Sequence, residues 1–277
     1  DQMNEVEFFS SAMAGYRMRM VSREQMMRYL EEAGLRKYVR TLDEPLLAKD
    51  IAVARIVERE YGKRPIYLAL TVPDQMGLQN RLVQRGIVFE LEDPAPQTER
   101  LDAAETVRLL TEVYRYRGLL SADGRHDYSI YKDENASRLV QNYSAAAIGA
   151  AQELRAQGDS QQAERMIRMG LELTPGSLPV LYSLAILRID DENWTGAEEV
   201  LLQLLDRGVA DSRLHRLLGR TYEGQNRLDE AAAAYRRSLD LAPDSFDAMR
   251  DLFSLHWTVR RDKAAGLRVL DEWLATH

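Results

Sequence analysis

The sequence contains no cysteine. That absence excludes a disulfide framework, a thiolate metal site and a cysteine nucleophile together, and leaves the compartment open. No run of roughly eighteen apolar residues occurs, so no segment reads as a membrane-spanning helix. An excess of positive charge is missing too: the net charge is −7 and the isoelectric point about 5.3, which argues against a nucleic-acid partner. Lysine is scarce, with five against 32 arginines. Guanidinium groups suit two-pronged carboxylate recognition, although a GC-rich genome produces the same bias. There is no glycine-rich phosphate loop, nucleophile elbow or HExxH pair. No catalytic residue, metal or cofactor is therefore assigned. The chain opens on Asp1 without a leader pattern, so it is expected to be part of something longer or processed.

What is present is 277 residues with 45% hydrophobic content, enough for one large domain or two ordinary ones. A repeat dominates the second half. Ala163, Ala197, Ala231 and Ala265 follow one another at intervals of 34 residues, with Ile167, Leu201, Tyr235 and Val269 four residues later and Pro175, Val209 and Pro243 at the repeat ends. Small residues are needed where two antiparallel helices cross, and large ones fill the gaps between successive hairpins. The best copy, 212–245, sets Leu218, Gly219, Tyr222, Ala231, Tyr235 and Pro243 at the spacings of the tetratricopeptide pattern, and the chain resembles that family. Repeats are expected at 144–177, 178–211, 212–245 and 246–277. The fourth departs by placing His256 where an aromatic usually sits, so His256 is expected in the core. The first extends backwards: Asp133-Glu134-Asn135 followed by Leu139, Tyr143, Ile148 and Leu154 predicts one long, acid-capped helix ending at Gly158-Asp159.

The first 117 residues read as a small α/β domain. Ser22 with Gln25 forms a capping box for a helix through Met26, Met27 and Leu30. Pro45 opens another, which closes at Tyr61-Gly62. The runs 65–72 and 87–91 read as strands. A helix from Asp102 to Tyr116 leads into a polar linker, 118–132, and the array follows over 133–277. The predicted fold class is thus mainly α: a small α/β domain followed by an α-solenoid of about four hairpins.

A second resemblance covers roughly residues 40 to 150. Arg64-Pro65-Ile66-Tyr67-Leu68-Ala69, the stretch from Gly77 to Leu91, Tyr116-Arg117-Gly118-Leu119 and the stretch from Asp133 to Tyr143 occur in one order. That order is similar to the soluble C-terminal region of bacterial multi-spanning membrane proteins related to the lumenal protein O-mannosyltransferases. The resemblance implies an address on the periplasmic or extracellular side of a membrane. It also implies a glycosyltransferase-like parent whose catalytic acid lies in the membrane part, outside this chain.

The loop residues Asp123, His126, Asp127 and Tyr128 read as a solvated cap rather than a cation site. His215 and His277 are isolated. The acids of Asp190-Asp191-Glu192 and Glu198-Glu199 meet a turn and a helix start. Methionines at 3, 13, 18, 20, 26 and 27 with Phe8, Phe9 and Tyr16 suit either core or an adaptable surface. The tetratricopeptide resemblance carries the family's groove-lining positions onto Arg155, Tyr182, Arg213, Arg216, Arg220, Glu223, Arg250 and Trp257. Arg213, Arg216 and Arg220 share one helical stripe, so a local cationic groove for a protein or acidic peptide is expected, weighed against a face balanced by Asp247, Asp251 and Glu223. At the end of the chain, Leu270, Trp273 and Leu274 exceed what one hairpin stripe needs. Self-association through Leu270 or Trp273 facing outward stands against both folding inward.

Overall fold

The structure, a computed structural model, describes residues 28, 56, 57, 59–70, 78, 81–92 and 101–275. The chain divides into two compact units, Asp1–Glu105 and Thr106–His277. The helix opened by Ser22, most of the one opened by Pro45, and the methionine-rich segment lie outside the described residues.

In the first unit, β1 (Tyr67–Ala69), β2 (Leu82–Arg85) and β3 (Val88–Leu91) form an antiparallel sheet in the order β1-β3-β2. Tyr67 pairs with Glu90, and Leu82 with Leu91. β2 and β3 are joined through Gly86, whose φ of +60° a residue with a Cβ rarely adopts. Val57, Leu78, Leu82 and Leu91 are buried together, with Ile66, Leu68 and Phe89 packed against them. The expected strands at 65–72 and 87–91 are shorter than read, and β2 is an addition. The expected helix at 102–116 is α1 (Ala103–Arg108) followed by a π-helical turn, Leu109–Val113, that ends when Tyr114 turns extended.

The second unit is a run of helical hairpins: α2 (Glu134–Ala156) with α3 (Ser160–Leu173), α4 (Leu178–Asp190) with α5 (Trp194–Asp206), α6 (Ser212–Gly224) with α7 (Leu228–Leu241), and α8 (Phe246–Ser254) with α9 (Lys263–Leu274). Most helices open on a side-chain cap. Asp133, Asp159, Asn193, Asp211, Ser245 and Asp262 each accept from the backbone N–H three residues on. α7 lacks such a cap, and Asp229 and Glu230 in its first turn meet the helix dipole instead. Every hairpin turn needs one left-handed residue. It falls on Gly158, Glu192, Asn226 and Arg261.

The last interval is one residue longer because α8 runs into a π-helical turn, Leu255–Val259, which accommodates an extra residue. Counted from the cap, the crossing position of the fourth hairpin therefore falls on Gly266 rather than Ala265, and a Cβ at Gly266 would lie 3.4 Å from the Trp257 ring. The buried stripe otherwise follows the repeat: Ala163, Ala197 and Ala231 are fully buried, as are Leu201 and Tyr235 within a percent. The 118–132 linker is folded, with Asp127 N–H donating to the Leu119 carbonyl at 2.8 Å and Lys132 Nζ to the Asp127 carbonyl at 2.6 Å.

Candidate functional site

α6 and α8, with the start of α5 and the middle of α7, enclose an open groove of about 630 Å³. Arg216, Arg220 and Glu223 reach it from α6, and Arg250 and Asp251 from α8, while Trp194 and Tyr235 form its aromatic wall. Two glycines make this wall. A Cβ on Gly219 would enter the Tyr235 ring and one on Gly224 would enter the Trp194 ring, so each aromatic lies directly on bare helix backbone. Tyr235 is buried to within a percent, and its hydroxyl donates to Glu223 Oε2 at 2.8 Å. Burial, then the Glu223 carboxylate, pushes that phenol far above its ordinary range.

The arginines are not free cations. Arg216 donates to Asp251 at 2.6 Å and Asp247 at 2.9 Å, and Arg250 pairs with the same two acids at 2.9 and 3.0 Å. The Asp251 hydrogen bond, together with the Asp251 charge, holds Arg250 above its ordinary value. Asp190 receives Arg155 from the first hairpin in a close pair and Arg220 from the third at 3.6 Å. These links join hairpins one and three to hairpin two, and hairpin three to hairpin four. Asp247 and Asp251 thus balance Arg216 and Arg250, as the alternative weighed against a cationic groove expected, while Arg220 keeps the longer contact to Asp190.

Residues 182–246 match the tetratricopeptide repeat family. The match spans most of the second hairpin and all of the third. Among solved structures, the chain is similar to MamA from Desulfovibrio magneticus RS-1 (20% identity, 51% of this chain, 84% of that chain, TM-score 0.43). An O-GlcNAc transferase variant from Thermobaculum terrenum shares 19% identity over 53% of this chain and 27% of that one, with a TM-score of 0.44. The first TPR domain of human RPAP3 shares 16% over 45% and 98%, with a TM-score of 0.40. No curated protein sequence matches the chain significantly.

The tetratricopeptide register brings Arg216, Arg220, Glu223 and Arg250 together in the groove, and not the other four expected residues. Arg155 stays with Asp190. Tyr182 is buried, donates to Asp211 at 2.7 Å and carries Arg213 over its ring at 4.8 Å. Trp257 is the clearest departure: the extra residue of the π-helical turn sets it within its own hairpin, stacked on Phe253 at 5.4 Å with Lys263 over it. Trp194 and Tyr235 were missed as groove residues. Their signal was the pair of helical glycines, Gly219 and Gly224, on the facing helix. At the C-terminus, Trp273 folds inward, its Nε1 donating to the Pro243 carbonyl at 2.9 Å, and Leu270 packs on the same core. The outward-facing expectation is thus corrected for both, whereas Leu274 is 57% exposed.

Asp123, His126 and Asp127 form no metal cluster among the described residues. His256 is half-buried, and its Nδ1 is buried without a hydrogen-bond partner among the described residues. Desolvation, then Arg260, lowers its pKa from 6.5, and desolvation, then Arg237, lowers that of His215. With a folded value below the unfolded one, the native state binds fewer protons, so stability is complete above about pH 6.5 and falls as pH drops through the depressed folded values. His256→Phe should therefore lose less thermal stability than wild type between about pH 7.5 and about pH 5. Parallel melting curves at the two pH values would contradict this.

Proposed function

We propose that this chain is a protein-interaction module that takes an extended acidic segment of a partner into the groove between the third and fourth repeats. The observation that carries the reading is the unequal commitment of its arginines. Arg216 and Arg250 are each held by two aspartates, whereas Arg220 has one acid, Asp190, at 3.6 Å and is substantially exposed. A peptide carboxylate that replaces Asp190 at Arg220 gains a charge-assisted hydrogen bond at the loss of the long 3.6 Å contact alone, leaving Arg155 on Asp190 and the aspartates of Arg216 and Arg250 in place, and Trp194 offers it an aromatic flank.

Such a contact is worth on the order of 1 to 3 kcal/mol when partly desolvated and much less in open water. Binding should weaken steeply as salt rises. The test is a panel of acidic peptides titrated into wild type, Arg220→Gln and the double variant Arg216→Glu, Arg220→Glu, with melting curves to show that each variant is folded. Equal affinity for all three would remove the groove reading.

For location, the support is the ordered resemblance of residues 40 to 150, which favours an extracytoplasmic arm of a membrane glycosyltransferase-like parent. Transfer from a lipid-linked sugar by the detergent-purified parent, unchanged on deleting residues 144–277, would remove the arm's role. A second reading, self-assembly as a scaffold, is favoured by Leu267 and Leu274, exposed two turns apart on α9. A chain that sediments as a monomer at high concentration would dismiss it.

A further inference from the structure

We propose that the chain carries a second ligand site, away from the groove, where the 118–132 loop closes on the first two repeats and takes a phosphomonoester joined to a planar or apolar body. The loop is anchored at a distance of 46 residues in sequence. The His126 backbone N–H donates to Glu172 Oε2 at 3.0 Å, and the His126 ring meets the Glu172 carbonyl at 3.0 Å. A carbonyl only accepts, so Nδ1 carries the proton, and the ring satisfies a backbone group in the last turn of α3. The space enclosed is about 440 Å³, within the range of small-molecule sites.

Its charges set the ligand class. Arg207 lines the pocket and has no carboxylate partner among the described residues, unlike the arginines of the groove. Its guanidinium lies against Gly176, where φ is +83° and a Cβ would come within 2.6 Å of Nη1, so a bare backbone position brings the cation there. Arg125 adds a second guanidinium, whose one acid, Asp123, is 3.7 Å away on an exposed turn. Against these, Glu172 brings one carboxylate that already accepts from the His126 backbone. Two guanidinium groups facing one space suit a doubly charged phosphate better than a single carboxylate. Tyr128, 80% exposed and edge-on to the His126 ring at 4.6 Å, offers an aromatic wall for the body that carries the phosphate.

The test is calorimetry on this chain with phenyl phosphate, benzoate and inorganic phosphate, and flotation with phosphatidylcholine vesicles with and without phosphatidic acid. Phenyl phosphate should bind more tightly than benzoate or inorganic phosphate. Arg207→Gln should weaken it about tenfold or more, and Tyr128→Ala should weaken phenyl phosphate but not inorganic phosphate. Arg220→Gln should leave all of this unchanged, which separates the site from the groove. Vesicle binding that requires both phosphatidic acid and Arg207 would assign the phosphate to a lipid headgroup; binding of the soluble compounds alone would assign it to a free metabolite. No binding of any probe, or binding that Arg207→Gln leaves intact, overturns the proposal.

Discussion

Gly219→Ala should destabilise the helical unit, although alanine in place of glycine within a helix ordinarily stabilises it by up to about 1 kcal/mol. The added methyl would occupy the space of the Tyr235 ring, which is buried and tied through its hydroxyl to Glu223. Moving the ring aside would break its hydroxyl bond to Glu223, so overpacking of about 1 to 3 kcal/mol outweighs the propensity gain. For a unit of this size the melting temperature should fall by several degrees. A double-mutant cycle identifies the cause. Gly219→Ala placed on a Tyr235→Leu background should cost clearly less than on wild type, because the obstructing ring is gone. Additive effects within about 0.5 kcal/mol would show that the ring is not the obstacle.

Ala231→Leu should have a comparable effect for a related reason. Ala231 is fully buried at the crossing of α6 and α7, in a cluster with Tyr235, Met249 and Leu252. Three more carbons there force the helices apart or a neighbour off its rotamer, at about 1 to 3 kcal/mol. Ala233, two residues on, is exposed on the same helix. Ala233→Leu should stay within about 0.5 kcal/mol of wild type. Comparable losses from both substitutions, measured by denaturant unfolding, would mean that the buried face has been misplaced.

Those two predictions rest on residues that the sequence singled out, and the success has a local origin. Small residues recurring every 34 positions, each followed by a large one a turn later, state which face of each helix is buried. Asp133 states where α2 begins, because a cap acts within one turn. The antiparallel sheet was half legible. Val88–Leu91 is a clear β-branched and aromatic run, whereas β2 is four residues long with Gln84 and Arg85 in it, and only its pairing with β3 makes it a strand.

The groove marks the boundary of what such reasoning reaches. The register placed Arg216, Arg220 and Arg250 on neighbouring first helices, which the structure bears out. Whether those arginines are free or neutralised depends on which acids the next repeat swings opposite them. Asp190 lies between Arg155 and Arg220 through the relative placement of three hairpins, and no spacing within one helix encodes that. A single added residue in the π-helical turn moves Trp257 into its own hairpin and Trp273 packs onto Pro243, although the 34-residue count continues undisturbed through Ala265. By itself, then, the sequence determined the repeat, its buried stripe and the capped start of α2, because periodicity and capping are short-range. Only the tertiary structure decided the charge state of the groove, its aromatic wall and the folding of the linker onto Glu172, because each depends on side chains brought together from separate hairpins.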